Sequence, residues 1–220
     1  MKLSDTLEEQ AALEALIEEA KPRIPEECRH LHFLLFTPFR YSPYPFDSRF
    51  RRAGATDGVF YASEVPETAV AEKAFFRLLF FLESPDTPWP ANPGEYSAFA
   101  VRYAVARAAD LTQLPWNVDR ALWTHPVDYS KCLEFSDTCR AAGVEAIRYE
   151  SIRDPASRAN VALLTCRAFA RPEPISAQTW HLHLSSSGVR AACESPRLTI
   201  AFARDAFAAD PRIHGMNWDR

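Results

Sequence analysis

The chain has 220 residues, a net charge of −4 and 47% hydrophobic residues, which excludes wholesale disorder and leaves enough apolar surface for a core. Only 6 glycines accompany 17 prolines, and neither GxGxxG nor GxxxxGK[ST] occurs, so a glycine-loop nucleotide fold is excluded. The acidic charge provides no dominant basic surface, and we expect no direct binding of nucleic acid.

The remaining composition predicts a protein of the cytoplasm. Its longest apolar run, Ala74–Leu82, is far shorter than the ~20 residues that span a bilayer, and the acidic N-terminus lacks the features of a signal peptide. The 5 cysteines are widely spaced without a CxxC pair, which is more typical of buried free thiols than of a disulfide framework or a zinc site. We therefore expect free thiols and no membrane segment.

The chain is predicted to begin with a helix over residues 4–20, capped by Ser4 or Asp5. Its apolar residues recur at helical spacing: Leu13, Leu16, Ile17 and Ala20. Such a stripe either packs on the core or contacts a partner. Residues 1–22 are thus predicted to form a helical appendage, and residues 23–220 a single domain.

The domain is predicted to open with a buried strand at His30–Phe36, followed by a long loop over residues 38–58. This loop contains four arginines: Arg40, Arg49, Arg51 and Arg52. Long loops tend to carry function, and guanidinium groups match phosphate oxygens bidentately. For each arginine the alternative is a solvated side chain or an ion pair with the acidic N-terminal helix.

A short strand at Val59–Ala62 leads into a helix that Ser63 can cap and that runs to about Leu82. The helix is apolar nearly all round from Ala74 onward, so it is predicted to be the central buried helix. Tyr61, at the end of the strand, could place its ring beside a carboxylate of this helix, although burial in the core is the usual fate of a strand tyrosine.

Glu72 is the strongest single candidate for catalysis. Its helical neighbours Ala69, Phe76 and Leu79 predict that it lies on the inward-facing stripe, where a carboxylate is costly to bury unless something pairs with it. The alternative is an acidic residue that the helix dipole favours near an N-terminus.

The rest of the chain completes an α+β class with a mixed sheet. The predicted elements are strand Glu95–Val105, helix 126–142, strands Val144–Tyr149 and Asn160–Ala170, and two strands within 178–203. Ser151 opens a polar turn after one strand, a position usually explained by turn chemistry, and no GxSxG motif surrounds it. The His30/His32 and His181/His183 pairs lack an HExxH motif or a Cys/His cluster, so we expect no metal.

The order of these features resembles the RES domain family, whose name comes from an arginine, a glutamate and a serine. The resemblance rests on Thr37-Pro-Phe-Arg-Tyr, Ser48-Arg-Phe, Gly58-Val-Phe-Tyr-Ala, Glu67-Thr-Ala-Val-Ala-Glu, Tyr149-Glu-Ser-Ile-Arg-Asp-Pro and Asn160-Val-Ala. It covers roughly residues 30–170, and the spacing from Tyr61 to Glu72 and the Ser-x-Arg turn fit the family well.

The resemblance implies the toxin of a bacterial RES–Xre toxin–antitoxin module, with an ADP-ribosyltransferase-like fold and a split β-sheet core. It implies that NAD+ is the substrate and that phosphate or water cleaves the nicotinamide–ribose bond, as in an NAD+ phosphorylase or glycohydrolase. The implied site residues are Glu72 as the catalytic carboxylate, Arg40 and Arg49 at the pyrophosphate or ribose, Tyr61 at the nicotinamide, and Ser151 orienting the substrate. Arg51 and Arg52 are alternatives to Arg49.

Two further functions stay open on the sequence. The enzyme could transfer a single ADP-ribose to a protein, as some members of the family do, or the arginine loop could serve a non-catalytic binding module. A toxin that consumes NAD+ must be silenced in its host, so we expect an antitoxin with an Xre-type helix-turn-helix domain to cover the cleft at Arg40 and Arg49.

Overall fold

The computed structural model of the protein describes residues 6–41, 43–54 and 58–219. The helices are α1 (Leu7–Ala20), α2 (Phe33–Arg40), α3 (Pro66–Leu82), α4 (Arg120–Trp123), α5 (Ser130–Ala141) and α6 (Pro211–His214). The strands are β1 (Phe60–Ser63), β2 (Gly94–Ala100), β3 (Ala108–Asp110), β4 (Ala146–Glu150), β5 (Ala159–Leu163), β6 (Ser176–Ser185), β7 (Gly188–Cys193) and β8 (Leu198–Ala203). Among the described helices, none combines the length and apolar character needed to cross a bilayer.

The strands form two separate sheets, which confirms the predicted α+β class with a split sheet. Sheet 1 has the order β1-β5-β4-β3, and sheet 2 has the order β2-β6-β7-β8. Sheet 1 is mixed because β3 runs parallel to β4 while its other pairs are antiparallel. Sheet 2 is antiparallel throughout.

Sheet 1 is buried on both faces. On one face, Phe60 and Val161 pack in a cluster with α2, and on the other face Ile147 packs in a cluster with α5. Neighbouring residues of a strand point to opposite faces, so Tyr61 and Asn160 belong to the α5 face. This alternation places the polar side chains described below on one side of sheet 1.

Helix α3 packs its buried side against sheet 2, where Phe75 and Leu78 share a cluster with Trp180. The prediction of a helix buried all round was wrong, because Phe76 is 55% exposed and Phe80 is 50% exposed. Apolar side chains on every side of a helix indicate burial only if partners cover each side, and this side of α3 stays about half exposed.

Glu72 therefore stands in a different place from the one that its spacing predicted. The buried stripe of α3 passes through Ala71, Ala74 and Phe75, and Glu72 lies beside it with a half-buried side chain. Its neighbour Phe76, predicted to point inward, faces solvent. The carboxylate is thus at the border between the core and an open surface.

The predicted strand at His30–Phe36 is also wrong. Helix α2 begins at Phe33, after His32 caps it by accepting a hydrogen bond on Nδ1 from the Leu34 amide at 3.3 Å. A short apolar run cannot distinguish a buried strand from a buried helix by periodicity alone. The backbone of Gly58 then packs so closely on α2 that a Cβ atom there would lie 1.9 Å from the Pro38 carbonyl oxygen.

Smaller differences concern where elements begin and end. Strand β2 ends at Ala100 rather than near residue 105, and the tail contains a third strand, β8. Ser63 belongs to β1, while Val65 precedes α3 without a side-chain cap. Thr6 caps α1 through a reciprocal pair of hydrogen bonds with Glu9. The predicted caps Ser4 and Asp5 lie outside the described residues.

Helix α1 has no buried residue, and Leu16 in its apolar stripe is 63% exposed. The stripe therefore does not pack on the core. The helix is connected to the domain through its other side, where Glu18 forms an ion pair with Arg40 at 2.6 Å.

The cysteines differ in part from the predicted free thiols. Cys28 and Cys166 form a disulfide that joins the segment before α2 to the turn after β5. Cys132, Cys139 and Cys193 are free and buried, as predicted. The disulfide partners are 138 residues apart in the sequence, so their spacing gave no indication of the pair.

Candidate active site

Glu72 lies at the centre of a small hydrogen-bond network between α3 and sheet 1. Its Oε1 accepts a hydrogen bond from Ser151 Oγ at 2.7 Å and another from Asn160 Nδ2 at 2.7 Å. Within the part of the chain that the structure describes, Oε2 accepts no hydrogen bond. One carboxylate oxygen is thus fixed by the protein, and the other is available to a ligand.

Ser151 is oriented by the turn that follows β4. Its buried Oγ accepts hydrogen bonds from the backbone amides of Arg153 at 3.3 Å and Asp154 at 3.1 Å. The hydroxyl has a single proton, which it donates to Glu72. Ser151 therefore fixes the orientation of the Glu72 carboxylate.

The same turn is attached to α3 through the buried side chain of Asp154. Thr68 donates to Asp154 Oδ2 at 2.6 Å, and Arg158 donates to both oxygens at 2.7 and 3.0 Å. Burial alone would raise the pKa of Asp154, but the hydrogen bonds from Arg158, Thr68 and the Ala156 amide outweigh it and lower the pKa. The turn is therefore anchored by an ionised carboxylate.

Asn160 is a member of the network that the sequence analysis did not assign to the site. The strand register places Asn160 opposite Ser63 on one side and opposite Tyr149 on the other. Ser63 Oγ donates to Asn160 Oδ1 at 2.6 Å, so the amide nitrogen is directed at Glu72. An asparagine within a strand of buried apolar residues is the signal that could have revealed it, since a buried amide needs partners.

Tyr61 has a buried hydroxyl and a partly exposed ring. Its hydroxyl lies 2.9 Å from Ser48 Oγ and accepts a hydrogen bond from the Phe50 amide at 2.9 Å. Burial of the hydroxyl raises the pKa of Tyr61, and the hydrogen bonds and nearby Arg51 oppose this only in part. The residue is nevertheless 36% exposed, so part of the ring is available for stacking.

Tyr149 lies close enough to both Tyr61 and Glu72 for each to affect its pKa. Its pKa lies well above the usual range because the side chain is buried and because Glu72 and Tyr61 would both repel a phenolate. Tyr149 stays neutral at physiological pH. Its ring packs edge-on against Phe50, with centroids 4.9 Å apart.

The Arg49 guanidinium is buried and donates its hydrogen bonds to groups within the protein. It is 6% exposed and donates to the carbonyls of Trp123 at 2.5 Å and His125 at 3.1 Å. It also lies over the Tyr129 ring, 4.6 Å from the centroid. These contacts join the arginine loop to the segment before α5.

Arg40 is likewise committed, and it lies apart from the Glu72 network. Its Nε donates to the Pro22 carbonyl at 2.7 Å, and its Nη2 forms the ion pair with Glu18. Helix α2, which carries Arg40, packs on the face of sheet 1 opposite to α5. No hydrogen bond or ion pair among the described residues links Arg40 to Glu72 or Ser151.

Arg51 and Arg52 differ in whether their guanidinium groups have an acceptor in the protein. Arg52 donates to Asp137 Oδ2 at 2.7 Å. Arg51 stacks on Tyr44, 3.9 Å from the ring centroid, its Nε is buried without a hydrogen-bond partner, and its charge acts on the Tyr61 hydroxyl. Of the loop arginines, Arg51 and Arg49 have charges that act on Tyr61, and the Arg51 side chain donates no hydrogen bond to any described residue.

The site contains a fixed carboxylate, neutral tyrosines and a partly free guanidinium. This set can stabilise a developing positive charge and bind an anionic ligand. Groups of three or more His, Cys, Asp or Glu side chains arranged to hold a metal ion are absent from the described residues. The five predicted site residues thus divide. Glu72 and Ser151 are in contact, and Tyr61 lies near Tyr149, on which Glu72 also acts, whereas Arg40 and Arg49 donate to other parts of the protein.

The sequence model of one protein family, described as the RES domain, matches residues 23–185. The match includes Arg40, Arg49, Tyr61, Glu72 and Ser151, and it ends with strand β6. A comparison with curated proteins finds no match.

Proposed function

This chain belongs to the RES domain family, which is associated with NAD+-related toxins of toxin–antitoxin systems, and we propose that it cleaves the nicotinamide–ribose bond of NAD+. The products would be nicotinamide and either ADP-ribose or its 1″-phosphate. The observation that carries this proposal is the Glu72 carboxylate, which Ser151 and Asn160 fix through one oxygen while the other stays free.

The chemistry of the bond suits such a carboxylate. Cleavage develops positive charge on the ribose, as in the oxocarbenium-like transition states of glycoside hydrolysis. Nicotinamide leaves as a neutral molecule, so no general acid is required. We expect Oε2 of Glu72 to stabilise the cation or to activate the attacking water or phosphate, while Ser151 and Asn160 prevent rotation of the carboxylate.

NAD+ would bind along the surface between Tyr61 and the arginine loop. The exposed part of the Tyr61 ring would stack on the nicotinamide, and the Arg51 guanidinium, which donates to none of the described residues, would bind the diphosphate. The family resemblance implies that Arg40 and Arg49 would also contact NAD+, although both now donate to protein groups. Arg40 would have to exchange Glu18 for the ligand, and we expect Arg40→Ala to abolish NAD+ loss.

We also propose that a partner protein inhibits the enzyme by covering the surface beside Glu72. Phe76 and Phe80 follow Glu72 at one-turn intervals along α3, and both are about half exposed. An exposed aromatic stripe beside a reactive carboxylate suits a protein that covers the site. We expect this partner to be the antitoxin, with an Xre-type helix-turn-helix domain.

Glu72→Gln tests the proposed role of the carboxylate, because glutamine keeps the oxygen that Ser151 and Asn160 bind and removes the charge. We expect nicotinamide release from NAD+ to fall below detection while the circular dichroism spectrum is unchanged. Glu67→Gln is the matched control, since Glu67 lies in the first turn of the same helix and faces Arg158 at 3.9 Å. Full NAD+ consumption by a folded Glu72→Gln variant would contradict the mechanism.

A further inference from the structure

Tyr149 in β4 has a hydroxyl group to which the described part of the chain offers no partner. The residue is 7% exposed, and its hydroxyl forms no hydrogen bond with any described residue. The buried polar side-chain atoms that lack a partner among these residues are arginine nitrogens, and Tyr149 Oη is not one of them, so this oxygen keeps access to the surface. Buried tyrosine hydroxyls usually bond to the protein. The Tyr149 hydroxyl is therefore open to a group that comes from outside.

The strand register places Tyr149 beside the Glu72 network. Within sheet 1, Tyr149 pairs with Asn160 of β5, and Asn160 pairs in turn with Ser63 of β1. Directly paired residues of antiparallel strands project from the same face of the sheet, with Cβ atoms ~4.5–5.5 Å apart. Because Asn160 Nδ2 donates to Glu72 Oε1, the Tyr149 side chain projects from the face that carries the carboxylate.

The Tyr149 ring is held in place, and its hydroxyl keeps its proton. The ring packs edge-on against the fully buried Phe50, whose amide also donates to the Tyr61 hydroxyl. Burial and the negative charge of Glu72 raise the pKa of Tyr149, so the group is a neutral donor throughout the physiological range. A fixed donor that needs no rearrangement is suited to bind a ligand.

The position next to Glu72 indicates which part of the ligand meets this donor. The negative charge of Glu72 disfavours the anionic diphosphate there, and the Tyr61 ring is the proposed contact of the nicotinamide. The remaining polar groups of that half of NAD+ are the hydroxyls of the ribose. A carboxylate can only accept hydrogen bonds, and the Ser151 proton is already donated to Glu72, so neither supplies a donor to a ribose oxygen.

We propose that the Tyr149 hydroxyl donates a hydrogen bond to a hydroxyl of the ribose whose bond to nicotinamide is cleaved. This inference rests on the proposed function, because NAD+ cleavage requires that ribose to lie at Glu72. In glycoside hydrolysis, hydrogen bonds to the hydroxyl beside the reacting carbon strengthen in the transition state. Tyr149 would therefore contact the substrate directly and contribute to the rate as well as to binding.

Tyr149→Phe tests the proposal, because it removes the hydroxyl and keeps the ring. We expect kcat/KM for nicotinamide release to fall about 10-fold, and the affinity for ADP-ribose, which retains this ribose, to fall about 5-fold. The urea midpoint should stay at the wild-type value, since the hydroxyl has no partner among the described residues to lose. Steady-state assays, calorimetric titration with ADP-ribose and urea denaturation provide the three measurements.

Two other tyrosines provide matched controls. Tyr129 donates to the Pro126 carbonyl at 3.2 Å and accepts from Arg153 Nη2 at 3.0 Å, so Tyr129→Phe should lower the urea midpoint. Tyr96 lies in β2 of sheet 2 and packs on the cluster around α3, so Tyr96→Phe should leave kcat/KM and the affinity for ADP-ribose unchanged.

The outcomes separate this contact from the proposed function. Wild-type protein that leaves NAD+ intact would overturn the proposed function, whereas the titration with ADP-ribose requires no cleavage. If Tyr149→Phe binds ADP-ribose as tightly as the wild type, or cleaves NAD+ with the wild-type kcat/KM, the contact alone is overturned. A urea midpoint lowered as far as in Tyr129→Phe would assign the hydroxyl to the fold and overturn it as well.

Discussion

The polar groups around Glu72 and the arginines of the 38–52 loop are organised in opposite ways. Around Glu72, Ser151 and Asn160 donate to one carboxylate oxygen and Ser63 donates to Asn160, while the other carboxylate oxygen accepts no hydrogen bond from the described residues. By contrast, Arg40 at the end of α2 and Arg49 in the loop direct their donors to backbone carbonyls and to α1. Residues of one family motif can thus serve the chemistry or hold the chain in place, and their partners distinguish the two roles.

Arg49→Met should have the largest effect if Arg49 holds the fold. The variant leaves the Trp123 and His125 carbonyls without their donor, and we expect a loss of about 3–5 kcal/mol in the free energy of unfolding. Urea denaturation measures this loss. Arg52→Met is the control, because its pair with Asp137 is well exposed and should contribute less than ~1 kcal/mol. If both variants are equally stable, Arg49 does not hold the fold, and a role in ligand binding is favoured.

Arg51→Ala should weaken ligand binding and leave stability nearly unchanged, the opposite of the effect expected for Arg49→Met. Since its side chain has no protein acceptor among the described residues, stability should change little, while affinity for ADP-ribose should fall about 10–100-fold through the loss of charge-assisted hydrogen bonds. Calorimetric titration with ADP-ribose provides the measurement, with Arg52→Ala as the matched control. Unchanged affinity would show that Arg51 is not the ligand-facing arginine of this loop.

Asn160→Ala removes one of the two hydrogen bonds on Glu72 Oε1. We expect kcat to fall about 10-fold with little change in KM, because the carboxylate keeps its charge but loses part of its orientation. Steady-state assays of nicotinamide release measure both constants. A change in KM alone would make Asn160 a binding residue instead of a positioning one.

Asp154→Asn tests the anchor of the Ser151 turn, with an expected cost of about 1 kcal/mol at pH 7. The folded state lowers the pKa of Asp154, so its contribution is present above the ordinary aspartate range and is lost as the pH falls through the lowered value. Urea denaturation of the variant and the wild type should therefore converge below ~3.9, the ordinary aspartate pKa. A stability difference that persists unchanged into strong acid would contradict the role of the charge.

Much of the fold and part of the site could be predicted from the sequence. Helix α3 and strands β1, β4 and β5 lie in segments with clear periodicity, and the family motif assigned Glu72 and Ser151 to one site, although the hydrogen bond between them was not predicted. The strand predicted at His30–Phe36 failed because a short apolar run fits a buried helix equally well.

What could not be predicted depends on contacts between distant residues. Asn160 meets Glu72 only because β5 pairs with β1 in a particular register, and no local pattern encodes that register. Arg49 meets carbonyls more than 70 residues further along the chain, at Trp123 and His125. A guanidinium in a motif therefore indicates an anion or a carbonyl partner, and only the fold decides between them.

Proton NMR of NAD+ incubated with the purified protein, with and without phosphate, tests the central claim most directly. Nicotinamide should appear as NAD+ disappears, together with ADP-ribose in the absence of phosphate or ADP-ribose 1″-phosphate in its presence. The account is contradicted if the folded protein leaves NAD+ intact under both conditions.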